Sequence, residues 1–134
     1  TLDTCRQNMY AGWASEEGVS QTIAEFYQEH GYVLDPHTAV GVKVYQDYKQ
    51  QSKDNTYTVL ASTASPFKFA QSVLRAIRPE DYAAEDAWKA LDRLSELTGW
   101  QIPPGLRNLQ DKQAQPAQKC RPHEIEKFIL EEFC

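Results

Sequence analysis

The sequence lacks the features that mark membrane and secreted proteins. No stretch approaches the roughly 18 apolar residues that a membrane-spanning helix needs, and the N-terminal residues Thr1–Thr4 form neither a basic nor an apolar signal region. Cysteine is scarce, since Cys5, Cys120 and Cys134 are an odd number scattered towards the two ends. This pattern does not resemble a disulfide framework and fits a reducing compartment, so we expect a cytoplasmic protein with no membrane partner.

Positive charge and core-forming residues are also in short supply. The chain has 14 basic and 19 acidic residues, a net charge of −5, so it should not attract nucleic acid. Leu, Ile, Val and Phe supply only 27 of the 134 residues, which predicts one domain with a thin core. Seven Tyr and three Trp argue against disorder, so the composition favours a folded chain that depends on something outside it.

The motifs of several common chemistries are missing. The sequence contains no Gly-rich phosphate loop, no paired-carboxylate motif and no Ser/His/Asp order typical of a hydrolase family. Cys120 and His123 have the spacing of half a zinc site, but no second pair accompanies them, so we predict no metal. Lys68, Arg75 and Arg78 form a modest basic row, which we interpret as the solvated face of a helix.

What the sequence does contain is a series of amphipathic helices with recognisable ends. Ser15 and Gly31 are placed to begin and end the first helix, and Asp35 with Pro36 begins a second that fades into the polar turn 49–55. Further helices are predicted from Ser65–Pro66 to Arg78, from Asp81 to Leu97, and from Pro122 onwards, the last one burying Ile125, Phe128, Ile129 and Phe133.

One segment, Thr56 to Ser62, is predicted to be a β-strand. It is rich in β-branched and aromatic residues, and its apolar part is continuous, as in a strand covered on both faces of a parallel sheet. The predicted fold class is therefore α/β, although the chain taken alone should be mostly helical with this one strand.

The end of that strand is the first candidate site. Open α/β sheets bind ligands where a buried strand leads into a helix N-terminus, and here Ser62, Thr63 and Ser65 offer three uncharged hydroxyls. A purely structural interpretation stays open, in which Ser65 only caps its helix while Ser62 and Thr63 finish the strand.

The second candidate site is the beginning of the second helix, Asp35-Pro36-His37-Thr38. A histidine in the first helical turn lies near the positive end of the helix dipole, which favours a neutral imidazole able to hydrogen-bond a substrate. The alternative is that His37 is simply a solvated residue of the first turn.

Both candidate sites fall in stretches that resemble the threonine synthase family. The segments are FYQEHGYVLDPHTAVG (Phe26 to Gly41) and VLASTASPFKF (Val59 to Phe69), and the resemblance extends upstream through YAGWASEEG (Tyr10 to Gly18) and downstream through LSELTGWQIPPGL (Leu94 to Leu106). The order is that of the family's C-terminal end. The resemblance implies that residues 1–134 are a single C-terminal fragment, roughly the last quarter or third of an enzyme, with a helical extension from about residue 80.

The resemblance also implies a cofactor, a substrate and residue roles. Threonine synthases are fold type II pyridoxal-phosphate lyases of amino-acid biosynthesis that convert O-phospho-L-homoserine and water to L-threonine and phosphate. The family's strand-end motif places the Thr63 hydroxyl at the pyridine nitrogen, with Ser62 beside it. His37 and Thr38 fall near the same pocket, and Ser65 stands where many relatives have histidine.

The family's lysine that holds the cofactor covalently belongs to an upstream motif that does not occur in this sequence. Lys68 is the nearest lysine to the strand-end motif but lacks the family's surrounding pattern, so we assign no catalytic residue within the chain. We therefore expect the chain to be inactive alone and to hold no covalent cofactor. We also expect it to self-associate, either by pairing its uncovered strand with that of a second copy or by exchanging helices. The alternatives are another fold type II lyase and a stand-alone helical interaction module derived from the enzyme.

Overall fold

The computed structural model describes residues 2–81, 86–112 and 119–133. In this part of the chain, seven α-helices are joined by loops and three 3-10 turns, and no helix is long and apolar enough to cross a membrane. The helices are α1 Leu2–Asn8, α2 Glu16–His30, α3 Pro36–Ser52, α4 Ala70–Ile77, α5 Ala87–Thr98, α6 Pro104–Arg107 and α7 Ile125–Phe133; the 3-10 turns are Pro66–Phe69, Pro79–Asp81 and Pro122–Glu124.

The ends of α2 and α3 lie where the sequence predicts them. The Ser15 hydroxyl accepts a hydrogen bond from the Gly18 N–H at 3.1 Å and so caps α2. At the other end Gly31 adopts a left-handed conformation with φ of 65°, and its N–H donates to the Tyr27 carbonyl. Asp35 caps α3, and Pro36 is its first residue.

Helix α4 is central to the core. It packs against α2 on one side and α5 on another, while α2 also packs against α3. Val33 and Leu34, in the connection between α2 and α3, are buried in the core. The Tyr32 ring of the same connection lies 5.2 Å from the ring of Trp100, which follows α5. The buried apolar residues are Ile23, Val33, Leu34, Ala39, Val42, Phe67, Ala70, Val73, Leu74, Ala90, Leu91 and Leu94.

The predicted β-strand at Thr56–Ser62 is wrong, whereas the mostly helical character of the chain is confirmed. Residues 53–65 form an irregular segment, and the described residues contain no strand. A strand needs a neighbouring strand to satisfy its N–H and C=O groups, and the described part of the chain supplies none. The apolar side chains that favoured a covered strand are instead open to water: Tyr57 is fully exposed and Val59 is 94% exposed.

Two further predictions need correction. Helix α5 begins at Ala87 rather than Asp81, because the Asp86 carboxylate accepts from the Trp88 N–H at 2.9 Å and caps it there; residues 82–85 lie outside the described residues.

The predicted buried face of α7 is also wrong at two of its positions. Ile125 and Ile129 are each 48% exposed and Phe128 is half-buried, since α7 packs chiefly against the 3-10 turn before it. The side chain of Phe133 lies outside the described residues. Helix α1 was not predicted from the sequence.

Candidate functional site

The N-terminus of α3 is built around a buried carboxylate. Asp35 retains only 1% of its exposed surface, and its Oδ1 accepts hydrogen bonds from the His37 N–H at 2.9 Å and the Thr38 N–H at 3.3 Å. These are two of the backbone donors that a helix N-terminus leaves without an internal partner. The charge is therefore placed where the helix dipole and the free N–H groups favour it.

The second oxygen of Asp35 connects the helix to a distant part of the chain. The Thr38 hydroxyl donates a hydrogen bond to Asp35 Oδ2. Thr38 Oγ1 also lies 3.1 Å from the hydroxyl oxygen of Ser62. A hydroxyl has one hydrogen to donate, so with Thr38 donating to the carboxylate, Ser62 must donate to Thr38. The result is a directed chain of hydrogen bonds from Ser62 through Thr38 to Asp35, which we call the hydroxyl relay.

The hydrogen bonds of Asp35 outweigh the cost of its burial. Burial by itself raises the pKa of this carboxyl, but the Thr38 hydroxyl and the N–H groups of His37 and Thr38 act in the opposite direction. The balance lies with the donors, so the pKa of Asp35 is held below its ordinary value of 3.8. The relay consequently ends on an ionised carboxylate at neutral pH.

His37 lies beside the relay but faces a different surface. Its Nδ1 lies 3.3 Å from Asp35 Oδ1, and its side chain is 68% exposed. The ring lies 4.9 Å from that of Phe69 and borders a groove of about 610 Å³ between α2, α3 and α4. Its Nε2 makes no hydrogen bond to a described residue, and the role of His37 toward a substrate stays a prediction.

The structure brings together only part of the predicted strand-end site. Ser62 lies next to Thr38, as the hydroxyl relay requires. Thr63 is exposed and makes no hydrogen bond to any described residue, so its hydroxyl is uncommitted. Ser65 accepts from the Phe67 N–H at 3.3 Å and caps the 3-10 turn Pro66–Phe69. Ser65 is therefore a cap, as the structural interpretation expects, whereas Ser62 has no strand to finish and contacts Thr38 instead.

Sequence reasoning missed the beginning of this irregular segment. The Tyr48 hydroxyl donates to Asp54 Oδ2 at 2.9 Å, while Asp54 Oδ1 accepts from the Thr56 N–H at 2.9 Å and the Thr56 hydroxyl at 2.6 Å. These three bonds, the Thr56 hydroxyl first among them, lower the pKa of Asp54 below 3.8. The Asp-Asn-Thr spacing typical of an Asx turn was the signal that could have revealed it.

Comparison with known proteins places this chain in a family. A family model described as "Threonine synthase, C-terminal" matches residues 38–129. The match is more than half of the chain and includes Thr38, Ser62, Thr63 and Ser65; it begins just after Asp35 and His37. The chain belongs to the threonine synthase C-terminal family.

Individual relatives agree with the family model. The chain is 40% identical over 76 residues to Threonine synthase-like 1 of Mus musculus, which covers 57% of the chain and 10% of the relative. It is 39% identical over 62 residues to threonine synthase of Pseudomonas aeruginosa, a match that covers 46% of the chain and 13% of the relative. It is 32% identical over 77 residues to threonine synthase of Schizosaccharomyces pombe, a match that covers 57% of the chain and 15% of the relative. The aligned part of this threonine synthase family chain thus spans 10 to 15% of the length of these relatives.

The hydroxyls at the end of the irregular segment are uncharged hydrogen-bonding groups. Thr63 offers a free hydroxyl, next to a Ser62 hydroxyl that is already committed to the relay. Lys68 is exposed and borders a different groove, of about 330 Å³, together with Trp88 and Leu91. No group of three or more His, Cys, Asp or Glu that could hold a metal occurs among the described residues, Cys120 and His123 included.

Proposed function

We propose that this chain is the C-terminal part of an enzyme that converts O-phospho-L-homoserine and water to L-threonine and phosphate. Family membership supports the proposal, since two of the relatives compared above are named threonine synthase. The observation that carries it is the hydroxyl relay, because it holds Ser62 on α3 and leaves the adjacent Thr63 hydroxyl free for a ligand.

Pyridoxal phosphate is the cofactor that we propose for the whole enzyme, where it supplies an electron sink for elimination and replacement at the substrate's carbon atoms. Thr63 would hold the pyridine nitrogen through its hydroxyl, with Ser62 beside it. A neutral hydroxyl, unlike a carboxylate, does not keep that nitrogen protonated, so the ring withdraws electrons less strongly than a protonated pyridine would. The uncommitted hydroxyl of Thr63 fits this role, whereas Ser65 is occupied as a helix cap.

We assign no covalent cofactor lysine and no catalytic residue within the chain. Lys68 borders the groove with Trp88 and Leu91 and lacks the family's lysine motif. Because the covalent anchor and the family's phosphate-binding turn belong to other parts of the enzyme, we expect the 134-residue chain to make no threonine by itself.

The interaction module is the second candidate function, and one observation favours it. Tyr57 and Val59 are exposed apolar residues on a segment that no described element covers. In a catalytic chain, the rest of the enzyme would cover them; in a module, a separate protein would do so. A lyase of the same fold type with another substrate differs from the main proposal only in what it accepts.

The experiment compares the protein encoded by the complete reading frame with the 134-residue chain. Each is supplied with pyridoxal phosphate and O-phospho-L-homoserine, and the release of phosphate and threonine is measured. We expect turnover by the complete protein and none by the chain. A complete reading frame with no lysine motif upstream would favour the module, and turnover of a different amino acid ester would favour the other lyase.

A further inference from the structure

The irregular segment 53–65 is held at both ends by α3. At its beginning, the Tyr48 hydroxyl donates to Asp54. At its end, Ser62 is joined to Thr38 by the 3.1 Å contact between their hydroxyl oxygens. Between these two points lie exposed residues that make no strand pairing with any described residue. Thr63 thus lies between two attachments: the Thr38–Ser62 contact before it, and the Ser65 cap after it, where Pro66 and Phe67 enter the core. The Thr38–Ser62 contact is the attachment on its N-terminal side.

Asp35 determines how Thr38 contacts Ser62. The carboxylate is buried and fixed by two backbone N–H groups of its own helix, so it cannot turn away from Thr38. The carboxylate accepts a hydrogen bond from the Thr38 hydroxyl. The Thr38 oxygen can then only accept from Ser62, because its one hydrogen is already used. The carboxylate thus fixes the direction of both hydrogen bonds.

We propose that Asp35 is a positioning residue which, acting through Thr38, holds the Ser62 hydroxyl and thereby fixes the backbone that presents Thr63. The part of this inference that concerns the cofactor rests on the proposed function, since it assumes that Thr63 contacts the pyridine nitrogen. The positioning itself is a property of the chain.

A helix cap alone does not require this arrangement. Serine or asparagine caps a helix about as well as aspartate, and a buried carboxylate costs more to desolvate than either neutral group. Asp35 uses Oδ1 for the cap and Oδ2 for the Thr38 hydroxyl, so its second oxygen has a task that capping does not explain. Asp35 and Thr38 are buried whereas Ser62 is exposed, so the relay runs from the surface to a buried carboxylate.

The test measures the backbone order of Ser62 and Thr63 in this chain by ¹⁵N relaxation. Thr38→Val keeps the β-branched shape but removes the hydroxyl, and Thr38→Ser keeps the hydroxyl. Asp35→Ser keeps a helix cap but has only one side-chain oxygen, so it lacks the second acceptor that Asp35 offers to the Thr38 hydroxyl. Tyr48→Phe is the matched control, since it releases the same segment only at Asp54.

We expect Thr38→Val and Asp35→Ser to lower the order parameters of Ser62 and Thr63 from rigid values of about 0.8 to below about 0.6. Thr38→Ser should restore the rigid values, and Tyr48→Phe should loosen residues 54–57 alone. Unchanged amide shifts in α2 and α4 would show that each variant is folded. Parent-like order at Ser62 and Thr63 in a folded Thr38→Val variant would overturn the proposal.

A second measurement separates this inference from the proposed function. In the complete protein, the absorbance of bound pyridoxal phosphate reports the surroundings of its ring nitrogen. We expect Thr38→Val to shift that absorbance and Thr38→Ser to leave it unchanged. If Thr38→Val loosens Thr63 in the chain but leaves the absorbance unshifted, Asp35 remains the residue that positions Thr63, and Thr63 is rejected as the cofactor contact.

Discussion

The hydroxyl oxygens of Thr38 and Ser62 lie 3.1 Å apart, although 24 positions separate the two residues in the sequence. The contact joins the first turn of a helix to a segment without regular structure. It also joins the two stretches in which the sequence resembles the threonine synthase family. The two candidate sites are therefore connected through this pair of hydroxyls, although His37 faces the groove between α2, α3 and α4.

Replacing the Thr63 hydroxyl should impair turnover of the complete protein far more than its folding. Thr63→Val keeps the β-branched shape, and under the proposed function it would leave the ring nitrogen of the cofactor without its partner, at a cost of about 1–3 kcal/mol. We expect kcat/KM to fall by about five- to 150-fold. Steady-state kinetics with O-phospho-L-homoserine measures this change.

Thr63→Ser is the control for that substitution, because it retains a hydroxyl at the same position. It should keep most of the activity, and both variants should unfold at temperatures close to that of the parent, since Thr63 is exposed and makes no hydrogen bond to the described residues. Equal activity of Thr63→Val and parent at saturating substrate would assign Thr63 a structural role only.

The helices that were predicted well carry their own boundary signals. Ser15, Gly31 and Asp35 act through hydrogen bonds within four residues, so their roles can be derived from local sequence. Segment 56–62 has strand-forming composition, but pairing depends on a distant partner that the local sequence does not specify. The apolar residues at Ile125 and Ile129 mislead for the same reason: periodicity shows an apolar face and not what covers it.

The residues of the candidate site could be predicted from the sequence, but the hydrogen bonds between them could not. Asp35 was identified as a helix cap, and Thr38 and Ser62 were named separately from two motifs. Which hydroxyl meets which acceptor depends on how α3 packs beneath the irregular segment, and hydrogen-bond partners so far apart in sequence leave no spacing to detect. Only the burial of Asp35 shows that its second oxygen needs a donor.

The stability of the chain should depend on pH through Asp35. Its pKa in the folded chain lies below the ordinary 3.8, so the stabilisation is fully present above about pH 5 and is lost as the pH falls through the lowered value. Asp35→Asn should flatten the acid limb of a plot of unfolding free energy against pH. Urea unfolding followed by circular dichroism between pH 2 and 6 measures this plot.

Asp54→Asn provides the comparison, because the pKa of Asp54 is also lowered and its contribution falls in the same pH range. The two substitutions should flatten the acid limb independently, since no hydrogen bond joins these carboxylates. An Asp35→Asn variant whose acid limb matches that of the parent would contradict the lowered pKa.

Because the core is thin, removing one buried apolar side chain should lower the free energy of unfolding by a large fraction. Leu94 is completely buried where α5 meets α4, so Leu94→Ala should lower the free energy of unfolding by about 2–5 kcal/mol, measured by urea titration. Leu109→Ala removes the same atoms from a residue that is 46% exposed and should cost much less. Equal losses for the two variants would mean that α5 is not part of the cooperative core.

Self-association of the chain is the last prediction, and the structure changes its expected cause. In the described part of the chain, residues 56–62 form no strand, so their exposed backbone can hydrogen-bond to water and does not by itself require a partner. The apolar side chains remain a reason, because Tyr57 and Val59 lie on the surface without cover. We therefore expect a second copy to cover this segment, in a reversible dimer.

Light scattering behind a sizing column, run over a dilution series, measures the mass of the chain in solution. Val59→Asp should shift the equilibrium towards monomer, because burying an unpaired carboxylate opposes association. Ile129→Asp is the matched control: it places the same charge on the exposed face of α7, away from residues 56–62 in the sequence. If both substitutions dissociate the dimer equally, Val59 is not part of the dimer contact. If the parent chain is a folded monomer at every concentration, segment 56–62 is not covered by a second copy.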